Sequence, residues 1–162
     1  MLPPDFSQWL VRTIDADSAD AEVLAALAQP GGDPAAIFAF VRGLGYEAYR
    51  GSLRGTRGTL WSAAGNSLDQ SSLLIAMLRA AGVPARYRHG ALNQAAAQTL
   101  IAGMFPAPTT ILGQVEDGAP VSDPVNDAAL LAAAQDHWWG EAFFDGDWRE
   151  LDPSFANAAV GQ

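Results

Sequence analysis

The stretch that most constrains this fold is Ser71-Ser72-Leu73-Leu74-Ile75-Ala76-Met77-Leu78-Arg79-Ala80-Ala81-Gly82. It is helix-forming and apolar on nearly every side, and a helix without a polar face belongs in the middle of a domain. Gly82 suits a left-handed C-terminal cap, and Pro84 prevents continuation. Just upstream, Gly65-Asn66-Ser67-Leu68-Asp69-Gln70 reads as a loop and a helix start. Ser67 and Gln70 have the spacing of a capping box, which predicts Ser67 at or next to the positive end of the buried helix. That end suits a capping serine, and equally a nucleophile or an anionic intermediate.

The helix needs cover, and a chain of 162 residues is one domain long enough to supply it. A helical N-terminal part is expected over about residues 1–45 and the core over about 46–155. Asp15 to Gln29 reads as an Ala-rich helix with acidic first turns, stopped by Pro30-Gly31-Gly32. A second helix starts at Asp33-Pro34, with Asp33 as N-cap and Pro34 as first helical residue. Ile37, Phe38, Phe40 and Val41 recur in it at helical spacing, and Gly43 to Gly45 close it. Residues 46–64, rich in Gly, Tyr, Arg and Ser, read as an extended, partly irregular approach to the central helix. Beyond that helix, Val83 to Gly90 alternates as a strand does, and residues 93–104 read as a helix with Leu100 and Ile101 inward. Phe105 to Asp127 holds four prolines and reads as a long loop of the kind that rims a cleft, followed by a short helix over Asn126 to Gln135.

The run from His137 to Pro153 carries two aromatic-rich segments separated by Asp145-Gly146, a β-hairpin signal. With a two-residue turn, Phe144 faces Asp147 and His137 faces Ser154. Asp152 then shares a sheet face with His137 as a diagonal neighbour, at a Cα separation of roughly 7–8 Å, within reach of a histidine–carboxylate contact. A three-residue turn moves Asp152 to the opposite face.

Composition excludes several function classes. A net charge of −9 opposes nucleic acid and anionic membrane surfaces as partners. All nine basic residues are arginines, so a domain that moved acyl groups to amines would have no lysine acceptor of its own. Without cysteine there are no disulfides, no thiol catalysis and no cysteine-bound metal. His89 and His137 lack an acid cluster at ligand spacing, so neither a metal nor a cofactor is expected. The longest apolar run of the central helix, Leu73 to Leu78, is too short to cross a bilayer, and residues 1–20 do not have the pattern of a secretory signal. Localisation stays open, and the chain is compatible with a module of a larger protein.

Three motifs together resemble the transglutaminase-like superfamily, the circularly rearranged relatives of papain-type cysteine proteases. They are Leu-Leu-x-x-x-Leu-Arg-Ala-x-Gly-Val-Pro-Ala-Arg at Leu73 to Arg86, His-x-Trp-x-Glu at His137, Trp139 and Glu141, and Gly-x-Trp-x-x-Leu-Asp-Pro at Gly146 to Pro153. The resemblance covers roughly residues 33–155. It implies an α+β fold of papain-like type, with the central helix packed against an antiparallel sheet and a cleft where its N-terminus faces His137. The family's triad is Cys, His and Asp. By resemblance His137 and Asp152 hold the last two positions, and Ser67 stands where the cysteine belongs. A thiol beside an imidazole readily becomes thiolate, whereas a serine must lose its proton to the base as it attacks.

The leading expectation is therefore a catalytically degenerate domain that binds a protein or peptide or serves as a structural module. Its site comprises Ser67, His137 and Asp152, with Asn66, Trp138 and Trp139 on the ligand side. The runner-up is an active acyl-transfer enzyme (amidase, peptidase or transglutaminase) using Ser67 as nucleophile. A third reading is an engineered Cys-to-Ser form of an active cysteine enzyme. The bland readings are Ser67 as cap, His137 as core histidine, Asp152-Pro153 as strand terminator, and Trp138, Trp139 and Trp148 as core and cleft wall. Arg79 and Arg86 are expected to pair with carboxylates, and His89 to lie near the surface at a strand end.

Overall fold

In a computed structural model, residues 4–105 and 123–161 are described. The central helix, α4 (Ser67–Ala80), carries no exposure from Leu73 through Leu78. It ends as the glycine predicts. Gly82 takes φ +80°, its N–H donates to the Arg79 carbonyl, and the Val83 N–H reaches back to Leu78, which is a Schellman termination. Its start differs from the capping-box expectation. Asn66 is the N-cap, its Oδ1 accepting from the Asp69 N–H at 2.9 Å, and Ser67 is the first helical residue. The Gln70 side chain turns away and donates to the Gly45 carbonyl.

The helix packs on a three-stranded antiparallel sheet of order β3 (Ala85–Ala91), β4 (Asp136–Phe144) and β5 (Asp147–Leu151). At Gly140 the strand comes so near that an added Cβ would lie 3.1 Å from the Leu74 side chain. The β4–β5 turn is the two-residue one. Phe144 pairs with Asp147, and Asp145 and Gly146 both have positive φ, as a type I′ turn requires. The fold is α+β, a central helix laid on an antiparallel sheet, as the sequence implies.

On the other side of α4 lie α1 (Ala21–Ala26), α2 (Pro34–Arg42) and α3 (Gly55–Ser62), with a short parallel pair of β1 (Gly45–Tyr46) and β2 (Ala64–Gly65) between them. Asp33 caps α2 and Pro34 opens it, as predicted. Two expectations are corrected. The helix read over 15–29 is confined to α1, because Asp20 caps it and the Asp17 side chain takes the Ala19 N–H into a local turn. The stretch read as an extended approach over 46–64 contains α3.

A second, smaller core joins α5 (Gln94–Met104) and α6 (Ala128–Gln135) through Ala97, Ile101 and Ala134. Leu100 and Ile101 of α5 point inward as expected. Most of the loop read over 105–127 lies outside the described residues. Among those that are described, no helix is long and apolar enough to cross a membrane.

Candidate functional site

The N-terminus of α4 is held by an unusually dense frame. Asp69 is fully buried, and its carboxylate accepts from the hydroxyls of Tyr49 and Ser52 at 2.6 Å each and from the backbone N–H groups of Leu53, Arg54 and Gly55. Its charge sits over the positive end of the helix, where an anion is stabilised. Burial and the bond to Asp69 push the Tyr49 hydroxyl well above its ordinary pKa, so it stays a donor. Asn66 completes the frame. Its Nδ2 donates to the carbonyls of Tyr49 and Gly51, and its N–H donates to the Tyr49 hydroxyl. Both amide donors are engaged by main chain, so Asn66, expected on the ligand side, stands in the scaffold that fixes Ser67.

Ser67, 3% exposed, lies where β5 has already left β4. Its Oγ accepts the Trp138 N–H at 3.2 Å, in the ladder position that β5 vacates after Leu151. One residue along β4, His137 is 1% exposed, and its Nε2 bonds Asp152 Oδ2 at 2.7 Å. The hairpin register thus delivers the histidine–carboxylate contact that the two-residue turn predicts. An ionised carboxylate only accepts, so in the neutral imidazole this bond puts the ring proton on Nε2 and leaves Nδ1 as the acceptor. The other Asp152 oxygen accepts from the Ser154 N–H, which fixes the carboxylate. Trp139 and Phe155 flank the imidazole with ring centroids 6.0 and 5.7 Å away.

Two groups remain loose in this arrangement. His137 Nδ1 is buried without a hydrogen-bond partner, and the Ser67 O–H finds no acceptor among the described residues. An acceptor and a donor are left over on groups joined through a single peptide unit, yet they do not bond each other. The structure brings Ser67, His137 and Asp152 to one end of the sheet, and of the three only His137 and Asp152 are hydrogen-bonded to each other.

Two hollows flank the trio, and neither is walled by the three residues themselves. One of about 440 Å³ lies on the Asp152 side, bounded by Tyr46, Leu100, Ser154 and Phe155. The other, about 210 Å³, lies beside Ser67 and is lined by Asp15, Leu68, Tyr87 and Trp138. Trp138 therefore faces a hollow next to the site, stacked at 4.2 Å on His89, whose Nε2 meets Asp136 at the exposed strand end. Trp139 lies against His137, with its Nε1 buried and without a partner among the described residues.

Two expectations about charged groups part company. Arg86 pairs with Glu141 at 2.7 Å, as expected. Arg79 bonds no carboxylate among the described residues. It is nearly buried, and donates to the carbonyls of Ala85 and Val11. Asp69 and Arg79 are thus the residues whose roles local sequence reasoning did not find. The signal available for Asp69 was a charge inside a helix otherwise read as apolar all round.

A sequence model described as the transglutaminase-like superfamily matches residues 17–153. Among solved structures, a candidate cysteine protease from Cytophaga hutchinsonii aligns with a TM-score of 0.62 at 20% identity, covering 94% of this chain and 43% of that one. The likeness is one of fold, and this chain spans less than half the length of that structure. No curated protein matches the sequence.

Proposed function

This chain belongs to the transglutaminase-like superfamily, and on that premise we propose that it is a catalytically degenerate member acting as a peptide- or protein-binding module. The observation that carries this reading is the missing bond between Ser67 and His137. A serine nucleophile needs its base within hydrogen-bond reach when substrate is bound, because attack and proton loss are concerted, and the ligand-free arrangement does not supply that contact ready-made. Here Ser67 Oγ is engaged by the Trp138 N–H, and Nδ1 of His137 has no partner. A thiol at the same place would behave differently. It ionises ahead of attack, with its pKa lowered from about 8.5 by an adjacent imidazolium and the helix N-terminus. The Asp152–His137 pair and the Asp69 frame are the parts that such a thiolate would need, and they persist around the serine.

The test uses a serine probe and a cysteine substitution together. A fluorophosphonate is expected to leave the parent unlabelled. Ser67→Cys is expected to alkylate with iodoacetamide at pH 6 at least about tenfold faster than a free thiol of pKa 8.5, with the advantage abolished by His137→Ala. Fluorophosphonate labelling of the parent that disappears in His137→Ala would instead establish an active serine acyl-transferase or hydrolase. A Cys variant that alkylates as an ordinary thiol would leave a cleft with no triad at all.

A further inference from the structure

We propose that the hollow beside Ser67, lined by Asp15, Leu68, Tyr87 and Trp138, is a specificity pocket for a basic side chain of the bound peptide, which it holds as a cation. The inference rests on the reading of this region as a peptide-binding cleft and adds the chemistry of what enters it. The hollow measures about 210 Å³. That is the liquid share of about seven water molecules, enough for a guanidinium on a short methylene stem.

Its walls suit such a group. Tyr87 donates its hydroxyl to Ser72 at 2.8 Å, and burial pushes its pKa up to about 12, so it contributes a neutral aromatic ring. Trp138 supplies a second ring, held in place by His89 stacked on it and by the edge contact with Tyr87 at 6.1 Å. Leu68 covers the apolar stem. The Asp15 carboxylate bonds no cation and no donor among the described residues, although the neighbouring acids Asp17 and Asp20 are both in ion pairs with arginines. Two aromatic rings and an uncompensated carboxylate around one hollow attract organic cations and disfavour anions.

The loop that carries Asp15 is anchored on both sides. Arg79 grips the Val11 carbonyl at 2.8 Å, and Ala16 is fully buried in the main core, its N–H bonded to Thr13 Oγ1. Asp15, an exposed residue on the rim of the hollow, thus sits on a loop tied to α4, so little ordering of the backbone is needed on binding. Leu68 and Trp138 are neighbours in sequence of Ser67 and His137. A basic side chain seated here thus belongs to a peptide residue adjacent to whatever lies over Ser67.

Titrating the protein with Nα-acetyl-arginine N-methylamide and with its neutral isostere, the citrulline derivative, isolates the charge. Binding is read by isothermal titration calorimetry. The arginine compound is expected to bind about tenfold more tightly than citrulline. Asp15→Asn is expected to remove most of that ratio, and Trp138→Leu to weaken arginine binding further. Equal affinities for the two compounds, no binding of either, or an arginine affinity unchanged in Asp15→Asn would each overturn the proposal. Repeating the iodoacetamide reaction on Ser67→Cys with Asp15→Asn separates this inference from the reading it rests on. His137-dependent alkylation that survives while arginine discrimination is absent removes the pocket and leaves the dormant triad standing.

Discussion

Asp69 shows how one residue can set a whole site. Three backbone N–H groups and two hydroxyls converge on its carboxylate. A donor left unsatisfied costs on the order of 1–3 kcal/mol where it is buried, and relaxation together with water at the exposed Ser52 and Leu53 recovers part of the total. Asp69→Ala is therefore expected to lower the unfolding free energy by about 4 kcal/mol, read from the urea midpoint, and to release residues 49–55 to hydrogen exchange. A loss below about 1 kcal/mol would show that the frame is decoration. Tyr87 gives a second prediction with a definite sign. Burial raises its pKa from an ordinary value of 10.0 to about 12. Below pH 10 both states hold the proton and the contribution is complete. Between pH 10 and 12 the unfolded chain binds fewer protons than the native one, so stability falls as pH rises, by up to about 2–3 kcal/mol. Tyr87→Phe is expected to give a shallower decline of the urea midpoint across that window, after a uniform loss of about 1 kcal/mol for the bond to Ser72. Parallel slopes in parent and variant would dismiss the linkage.

At the level of elements, what was readable depended on whether the determinants are local. The end of α4 was legible because Gly82 and Pro84 act within one turn. The hairpin was legible because Asp145-Gly146 needs positive φ at both positions, and this fixes every pairing beyond it. From that register the His137–Asp152 contact followed. Helix α3 was illegible for the opposite reason. Gly55, Thr56, Gly58 and Thr59 are poor helix formers, its N-cap Arg54 makes no side-chain cap, and the N–H groups at its start are satisfied by Asp69, 14 to 16 residues later in sequence. Likewise nothing local chose Asn66 over Ser67 as the cap of α4; the carbonyls of Tyr49 and Gly51 did, by engaging the amide. The register argument also yields a test. Inserting one glycine after Gly146 moves Asp152 to the opposite face of the sheet while leaving the strands able to pair. In the Ser67→Cys background this insertion is expected to reduce alkylation at pH 6 to the level of His137→Ala. Full retention of the rate would mean that Asp152 is not the partner that holds the imidazole.

Across the whole molecule, the two ends of the chain close on the same sheet. A 3-10 helix at Pro4–Trp9 lays Phe6 against Phe143 and Trp148, and the Arg86 guanidinium lies 4.0 Å over the Trp148 ring with Trp9 beyond it. At the other end Gly161 bonds the Glu150 carbonyl, and Arg42 of α2 donates to Ala158. The smaller core of α5 and α6 looks separable, since its buried residues number few, although Tyr46 of β1 and Val125 also pack against it. Its attachments argue otherwise. The helix α6 runs directly into β4, the Leu92 N–H bonds the Gln135 carbonyl, and Ala48 donates to the Met104 sulfur. Unfolding α5 and α6 alone would thus free the Asp136 end of the strand that bears His137. One cooperative transition is expected, with tryptophan fluorescence and far-UV circular dichroism coinciding. Ile101→Ala in the small core and Leu74→Ala in the large one should each move that single transition, by about 2–5 kcal/mol. If Ile101→Ala instead split off an early phase seen by circular dichroism but not by fluorescence, α5 and α6 would be a separate folding unit. Asp152 and His137 would then have to keep their contact without support from that side.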